Sequence, residues 1–106
     1  MAELVKIVVT VPEPEAHELR RIIGAAGGGQ VGKYSYCSYS VVGTGSFFPE
    51  EGAHPTIGQV GKLEKVPEER IEVTCQRAEA SVVVAAIKKA HSYEEPAIDV
   101  YPLLDI

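Results

Sequence analysis

Arg70–His91 reads RIEVTCQRAEASVVVAAIKKAH, and its two halves obey different periods. From Arg70 to Gln76, Ile71, Val73 and Cys75 alternate with Arg70, Glu72, Thr74 and Gln76, the period of two expected of a strand with one buried face. From Ala78 to His91, Ala80, Val83, Val84, Ile87 and Ala90 share one side at helical spacing. Lys88 and Lys89 lie near the carboxyl end, where cations offset the helix dipole. Val82, Val83 and Val84 are poor helix formers, so burial has to hold this helix in place. A strand that runs straight into an amphipathic helix opens a β-α-β unit. Ala97–Leu103 (AIDVYPL) predicts the closing strand, with Ile98 and Val100 on one face and Asp99 and Tyr101 on the other.

The same order recurs upstream. Leu4–Val11 predicts a strand with Val5, Ile7, Val9 and Val11 on one face and Leu4, Lys6, Val8 and Thr10 on the other. Pro12 and Pro14 end it, and Glu13 and Glu15 suit the positive end of a helix over Glu15–Ala26. Its stripe is Ala16, Leu19, Ile23 and Ala26, and Gly27-Gly28-Gly29 stops it. Tyr34–Val42 (YSYCSYSVV) is aromatic and β-branched, as strands are. Gly43–Lys62 (GTGSFFPEEGAHPTIGQVGK) reads as a long loop of short hairpin-like pieces, with Phe47, Phe48, Ile57 and Val60 available for burial. The order predicts an α+β fold, a ferredoxin-like βαββαβ sandwich over residues 1–106 as one domain. Its four-stranded antiparallel sheet carries two helices on one face, and the long loop joins strands 2 and 3. The other face is expected to show Leu4, Val8 and neighbouring tyrosines, an apolar patch suited to a partner subunit.

With 106 residues, 45% hydrophobic and 24% charged, the chain has the composition of an ordinary globular domain. Ten Lys and Arg face fifteen Asp and Glu, a net charge of −5, which disfavours nucleic acid and anionic membrane surfaces as partners. No apolar run approaches the roughly 18–20 residues of a membrane span, and the amino terminus lacks a basic segment followed by a cleavage site. The expected compartment is the cytoplasm, with Cys37 and Cys75 as free thiols. No C-x-x-C occurs.

The segment GAAGGGQVGKYSYCSYSVVGTGSFFPEEGAHPTIGQVGKLEKVPEERIE resembles the YqfO-type domain inserted in bacterial Nif-three-like proteins. Gly32, Tyr34 and Cys37 carry the likeness, with Gly43, Gly45 and Phe47, then Pro49, Gly52 and Pro55, then Gly58, Gly61, Leu63 and Glu64. The tail matches through His91, Tyr93, Glu94, Pro96 and Tyr101. This domain is similar to the CutA and PII signalling proteins, and that likeness implies a ferredoxin-like trimer. Whole Nif-three-like proteins resemble dinuclear metal hydrolases, some labelled GTP cyclohydrolase type 2. Their metal ligands lie in flanking halves that the chain, read as a free-standing copy of the insert, does not contain. Neither that activity nor those ligands carry over.

The chemistry-bearing residues divide into few classes. His54, His91, Glu94 and Cys37 are the metal candidates, with His17 and Cys75 as weaker ones. His91 also suits the negative end of a helix, and Cys75 the core. The glycines at 27–29 follow a helix where a phosphate cradle precedes one, and Gly43-Thr44-Gly45 opens no helix, so tight turns explain them better than a nucleotide does. The pairs Glu13/Glu15, Glu50/Glu51, Glu68/Glu69 and Glu94/Glu95 sit beside prolines at element boundaries, as solvated turns do. No catalytic residue and no cofactor is predicted, with a divalent metal as the remaining candidate. The expected function is a non-enzymatic, oligomeric binding domain of CutA/PII type, with a ligand at the long loop and subunit clefts. The alternative is a small metal-dependent hydrolase.

Overall fold

A computed structural model describes residues 3–106. Along the chain run β1 (Leu4–Pro12), a 3-10 turn (Glu13–Glu15), α1 (Ala16–Ala25), β2 (Tyr39–Phe47), β3 (Glu64–Gln76), α2 (Arg77–Ala90) and β4 (Ile98–Pro102). The sheet order is β2-β3-β1-β4, and every neighbouring pair is antiparallel. This is the ferredoxin-like arrangement expected of two β-α-β units. Val5, Ile7, Val9 and Val11 of β1 and Ile71, Val73 and Cys75 of β3 form the sheet side of the core. Ala16, Leu19 and Ile23 of α1 and Val83 and Ile87 of α2 cover them. Burial against this sheet holds the valine-rich α2 helical, and Lys88 and Lys89 stand in its last turn as the dipole favours.

Helix α1 ends in a Schellman motif: Gly28 N–H bonds Ile23 O and Gly27 N–H bonds Gly24 O. Gly27 takes the left-handed conformation (φ 106°) that this cap needs and that a side chain would resist.

Strand 2 lies five residues later than its sequence suggests. Tyr34–Ser38 is not strand; it holds an isolated Val31–Tyr34 bridge and Tyr36 at φ 61°, a left-handed conformation that breaks an extended run. The strand spans Tyr39–Phe47 and so absorbs Gly43, Gly45 and Phe47, which were expected in the loop. Strand 3 begins at Glu64, six residues before its clean alternation, because Glu64–Pro67 extends a hairpin with β2 alone. The β1 ladder ends at Pro12–Glu68, so the missing N–H of Pro67 leaves no bond to β1 unmade. The loop is therefore residues 48–63. The projecting hairpin gives the molecule extents of 48 × 24 × 23 Å.

The sheet face opposite the helices carries part of the apolar patch expected: Leu4, Tyr39 and Val41 are exposed on it. Val8 is only 2% exposed there. Arg70, on β3 opposite Thr10, bonds Glu72 and reaches across β1 to the hydroxyl of Tyr101, on β4 opposite Lys6. A polar layer thus lies over Val8. Leu4 of β1 remains on this face, and of the expected tyrosine segment only Tyr39 joins it, with Val41, because Tyr34, Tyr36 and Cys37 precede the strand.

Candidate functional site

The tail after α2, His91–Glu95 (HSYEE), is bonded to four other parts of the fold. His91 is 7% exposed, its backbone N–H closes α2 on Ile87 O, and its ring leaves the helix end. Nε2 donates to Thr10 O of β1 (2.8 Å), and Nδ1 accepts the backbone N–H of Tyr93 (3.0 Å). These two bonds assign the neutral Nε2–H tautomer and occupy both ring nitrogens. Ser92 Oγ donates to Glu15 Oε2 (2.9 Å). The ring of Tyr93 packs edge-on against Phe47 at 5.9 Å between centroids and tilted against His91 at 5.0 Å. Its hydroxyl donates to Glu68 Oε2 (2.9 Å).

Glu68 explains Gly45 of strand 2. It lies on β3, opposite Gly43 and two residues from Val66, the partner of Gly45. A Cβ on Gly45 would collide with the Glu68 carboxyl, so the side chain can lie over β2 only where β2 has none. Burial, then the bond to Glu68 and the charges of Glu68 and Glu15, hold the Tyr93 phenol far above its ordinary pKa. Tyr93 therefore remains a hydrogen-bond donor to Glu68.

The loop 48–63 is closed at its base, where Gly61 N–H bonds Pro49 O (2.9 Å), and Gly52, Gly58 and Gly61 all take left-handed turns within it. Its far side is tied to the tail: His54 N–H donates to Glu94 Oε2 (2.8 Å) and Thr56 Oγ1 to Ser92 O (2.6 Å). Between loop, tail and hairpin lies a cleft of about 490 Å³. Its walls include Phe47, Phe48, Pro49, Pro55 and Ile57 from the hairpin and loop, with Tyr93 and Ala97 from the tail. Its acidic groups are Glu68, Glu94 and Glu95, and among the described residues no Lys, Arg or His lines it. The volume is that of a small-molecule site, about 300–1,000 Å³.

The structure brings His54 and Glu94 together through a backbone bond but does not group the four metal candidates as ligands. His91 is spent on Thr10 and Tyr93, while Glu94 accepts the backbone of His54, not its ring. Cys37 is at the other end of the sheet: its N–H bonds Gly29 O, and Gly29 N–H bonds Thr74 O, which faces Lys6 four residues from Thr10. Four strand residues separate these ends by about 13 Å. Among the described residues no three His, Cys, Asp or Glu side chains are grouped to hold a metal ion. Gly32 (φ 58°) and Tyr34 shape the turn before strand 2, beside Tyr36, whose ring lies on Gly24 of α1. Cys75 is buried in the core and both cysteines are free thiols. The residues that sequence reading passed over are Glu68 and Tyr93 as a pair. The signal available was Gly45 in strand 2, a position where a side chain lies across the strand.

No family model matches the chain. Curated relatives do. A protein of Halalkalibacterium halodurans named GTP cyclohydrolase 1 type 2 homolog is 49% identical over 100 residues, 94% of this chain and 27% of that protein. Its namesake in Mycobacterium tuberculosis is 45% identical over 103 residues, 97% of this chain and 27% of that protein. The chain thus spans about a quarter of the length of the curated relatives it matches. Among solved structures, a Bacillus cereus protein related to NIF3 superposes with a TM-score of 0.85 at 44% identity, over 98% of this chain and 26% of that one. The divalent cation tolerance protein CutA of Archaeoglobus fulgidus gives 0.69 at 22% identity, over 94% and 83% of the two chains. The GlnK–ATP complex of B. subtilis gives 0.65 at 12% identity, over 97% and 84%. The motif resemblance to a domain of Nif-three-like proteins is borne out, and the fold is that of CutA and PII proteins.

Proposed function

We propose that the chain is a non-enzymatic, oligomeric binding domain whose ligand occupies the cleft beneath loop 48–63. The observation that carries this is the construction of the cleft. A loop closed at its base is pinned to the tail by two hydrogen bonds and roofs a space walled by aromatic and proline side chains. Convergent polar groups in a mostly apolar concavity are the ordinary form of a small-molecule site. The motif residues Gly45, Phe47, Pro49 and Pro55 all line this space. Three copies are the first choice for the assembly, by analogy with the CutA and PII resemblance.

A small-molecule fragment screen by NMR tests the reading. Saturable shifts are expected in residues 44–57, Glu68 and 93–97, and Phe48→Ala, a change at an exposed ring, should weaken them at least severalfold. Fragment hits confined to other surfaces would reject the cleft as the ligand site.

A further inference from the structure

Resting on the cleft as the ligand site, we infer the ligand's chemical class: a small organic cation, an ammonium or guanidinium group on an apolar body. Glu68 is 8% exposed and lines the cleft. Its Oε2 accepts Tyr93, whereas Oε1 has no protein donor among the described residues. That oxygen is not sealed in the protein, since no side-chain polar atom is both buried and unbonded there. It opens to the cleft. Nor does Glu68 have a cationic partner: the ion pairs of the described residues engage Glu3, Glu18, Glu69 and Glu72. A carboxylate largely removed from water is costly unless a positive charge meets it.

The cleft supplies no such charge, and everything else in it favours one that arrives from outside. Glu94 and Glu95 add two more carboxylates at its edge. Phe47, Phe48 and Tyr93 offer aromatic faces, which attract ammonium and guanidinium groups. The same charges repel phosphates and carboxylic acids, so an anionic nucleotide fits this cleft poorly. A bare divalent ion would need several oxygen ligands converging on one point, and the described residues form no such group. The apolar walls instead need a body of their own kind beside the charged head.

Three probes of one shape and different charge decide it, followed by NMR on the full chain: 2-phenylethylamine, 2-phenylethanol and phenylacetate. The amine is expected to shift the Phe47, Phe48 and Tyr93 ring resonances saturably. The alcohol should bind about tenfold more weakly or worse, the size of a lost charge-assisted hydrogen bond, and the acid not measurably. Glu68→Gln, which keeps an acceptor for Tyr93, should remove that preference. Gly45→Ala, which displaces the Glu68 carboxyl without changing charge, should weaken the amine more than the alcohol and so narrow the gap between them; it also serves if Glu68→Gln folds poorly. Equal binding of alcohol or acid, or an amine affinity unmoved by both substitutions, overturns the cation and leaves the cleft. If none of the three probes moves these resonances, the cleft itself is rejected.

Discussion

Tyr93 keeps its proton because burial, then the bond to Glu68 and the neighbouring carboxylate charges, disfavour the phenolate. The raised value fixes the sign of its pH dependence. The contribution of the Tyr93–Glu68 bond is fully present below the ordinary tyrosine pKa of about 10 and is lost as pH climbs through the raised value. Tyr93→Phe leaves Glu68 Oε2 without its donor and should lower stability by about 1–3 kcal/mol in denaturant unfolding at neutral pH. An alkaline absorbance titration should show the variant missing the most basic part of the parent curve. An unchanged curve would separate Tyr93 from Glu68 in solution. The cysteines divide in a similar way. Burial, then the charge of Glu79, raises the Cys75 thiol, and Cys75 is 1% exposed. Since the thiolate is the reactive form, a thiol reagent should modify only Cys37 in the native protein and both in the unfolded one. Two fast thiols in the native state would place Cys75 outside the core.

At the scale of elements, the core was legible and the hairpin was not. The period of two in Val5–Val11 and Ile71–Cys75, and the 3.6-residue stripes of α1 and α2, are each set by one buried face, and the folded core contains or is packed by those residues except Ala90, which is exposed at the last position of α2. Strand 2 was misplaced because local propensity and tertiary need disagree there. Tyr34–Cys37 looks extended by composition, but Tyr36 turns left-handed against Gly24. Gly43 and Gly45 look like loop, but the missing side chain of Gly45 admits a glutamate from the neighbouring strand. No local pattern reports a contact between residues 23 positions apart. In α2 the two readings agree, which makes it the place to test the core. Val83 is fully buried and Val84 half-buried beside it. Val83→Asp should cost about 3–5 kcal/mol, most of the stability of a small domain, whereas Val84→Asp should cost clearly less. Thermal melts by circular dichroism check this, and equal losses would mean that the helix is rotated from the orientation described.

At the scale of the whole molecule, the sheet has two outer strands, and they are not protected alike. β4 is five residues long and ends in Pro102, two features that discourage pairing with another chain. β2 is nine residues long, YSVVGTGSF, with no charge and no proline. Tyr39 and Val42 on it are 68% and 62% exposed. An uncharged edge of that length is a template for a further strand, and a chain that avoids aggregation has to cover it with a defined partner. A second copy is the partner always at hand, and a closed ring of copies leaves no such edge bare. By analogy with the CutA and PII resemblance, sedimentation equilibrium at micromolar concentration is expected to give about three times the 11.4 kDa chain mass. Val42→Lys, a charge set on the exposed edge and away from the core, should shift that mass toward 11.4 kDa without lowering the helical signal. A parent mass near 11.4 kDa would show that β2 stays uncovered. A mass near twice that value would keep the edge argument and reject the number three. An assembly indifferent to Val42→Lys would move the interface off β2, leaving Tyr39 and Val42 exposed for a reason other than self-association.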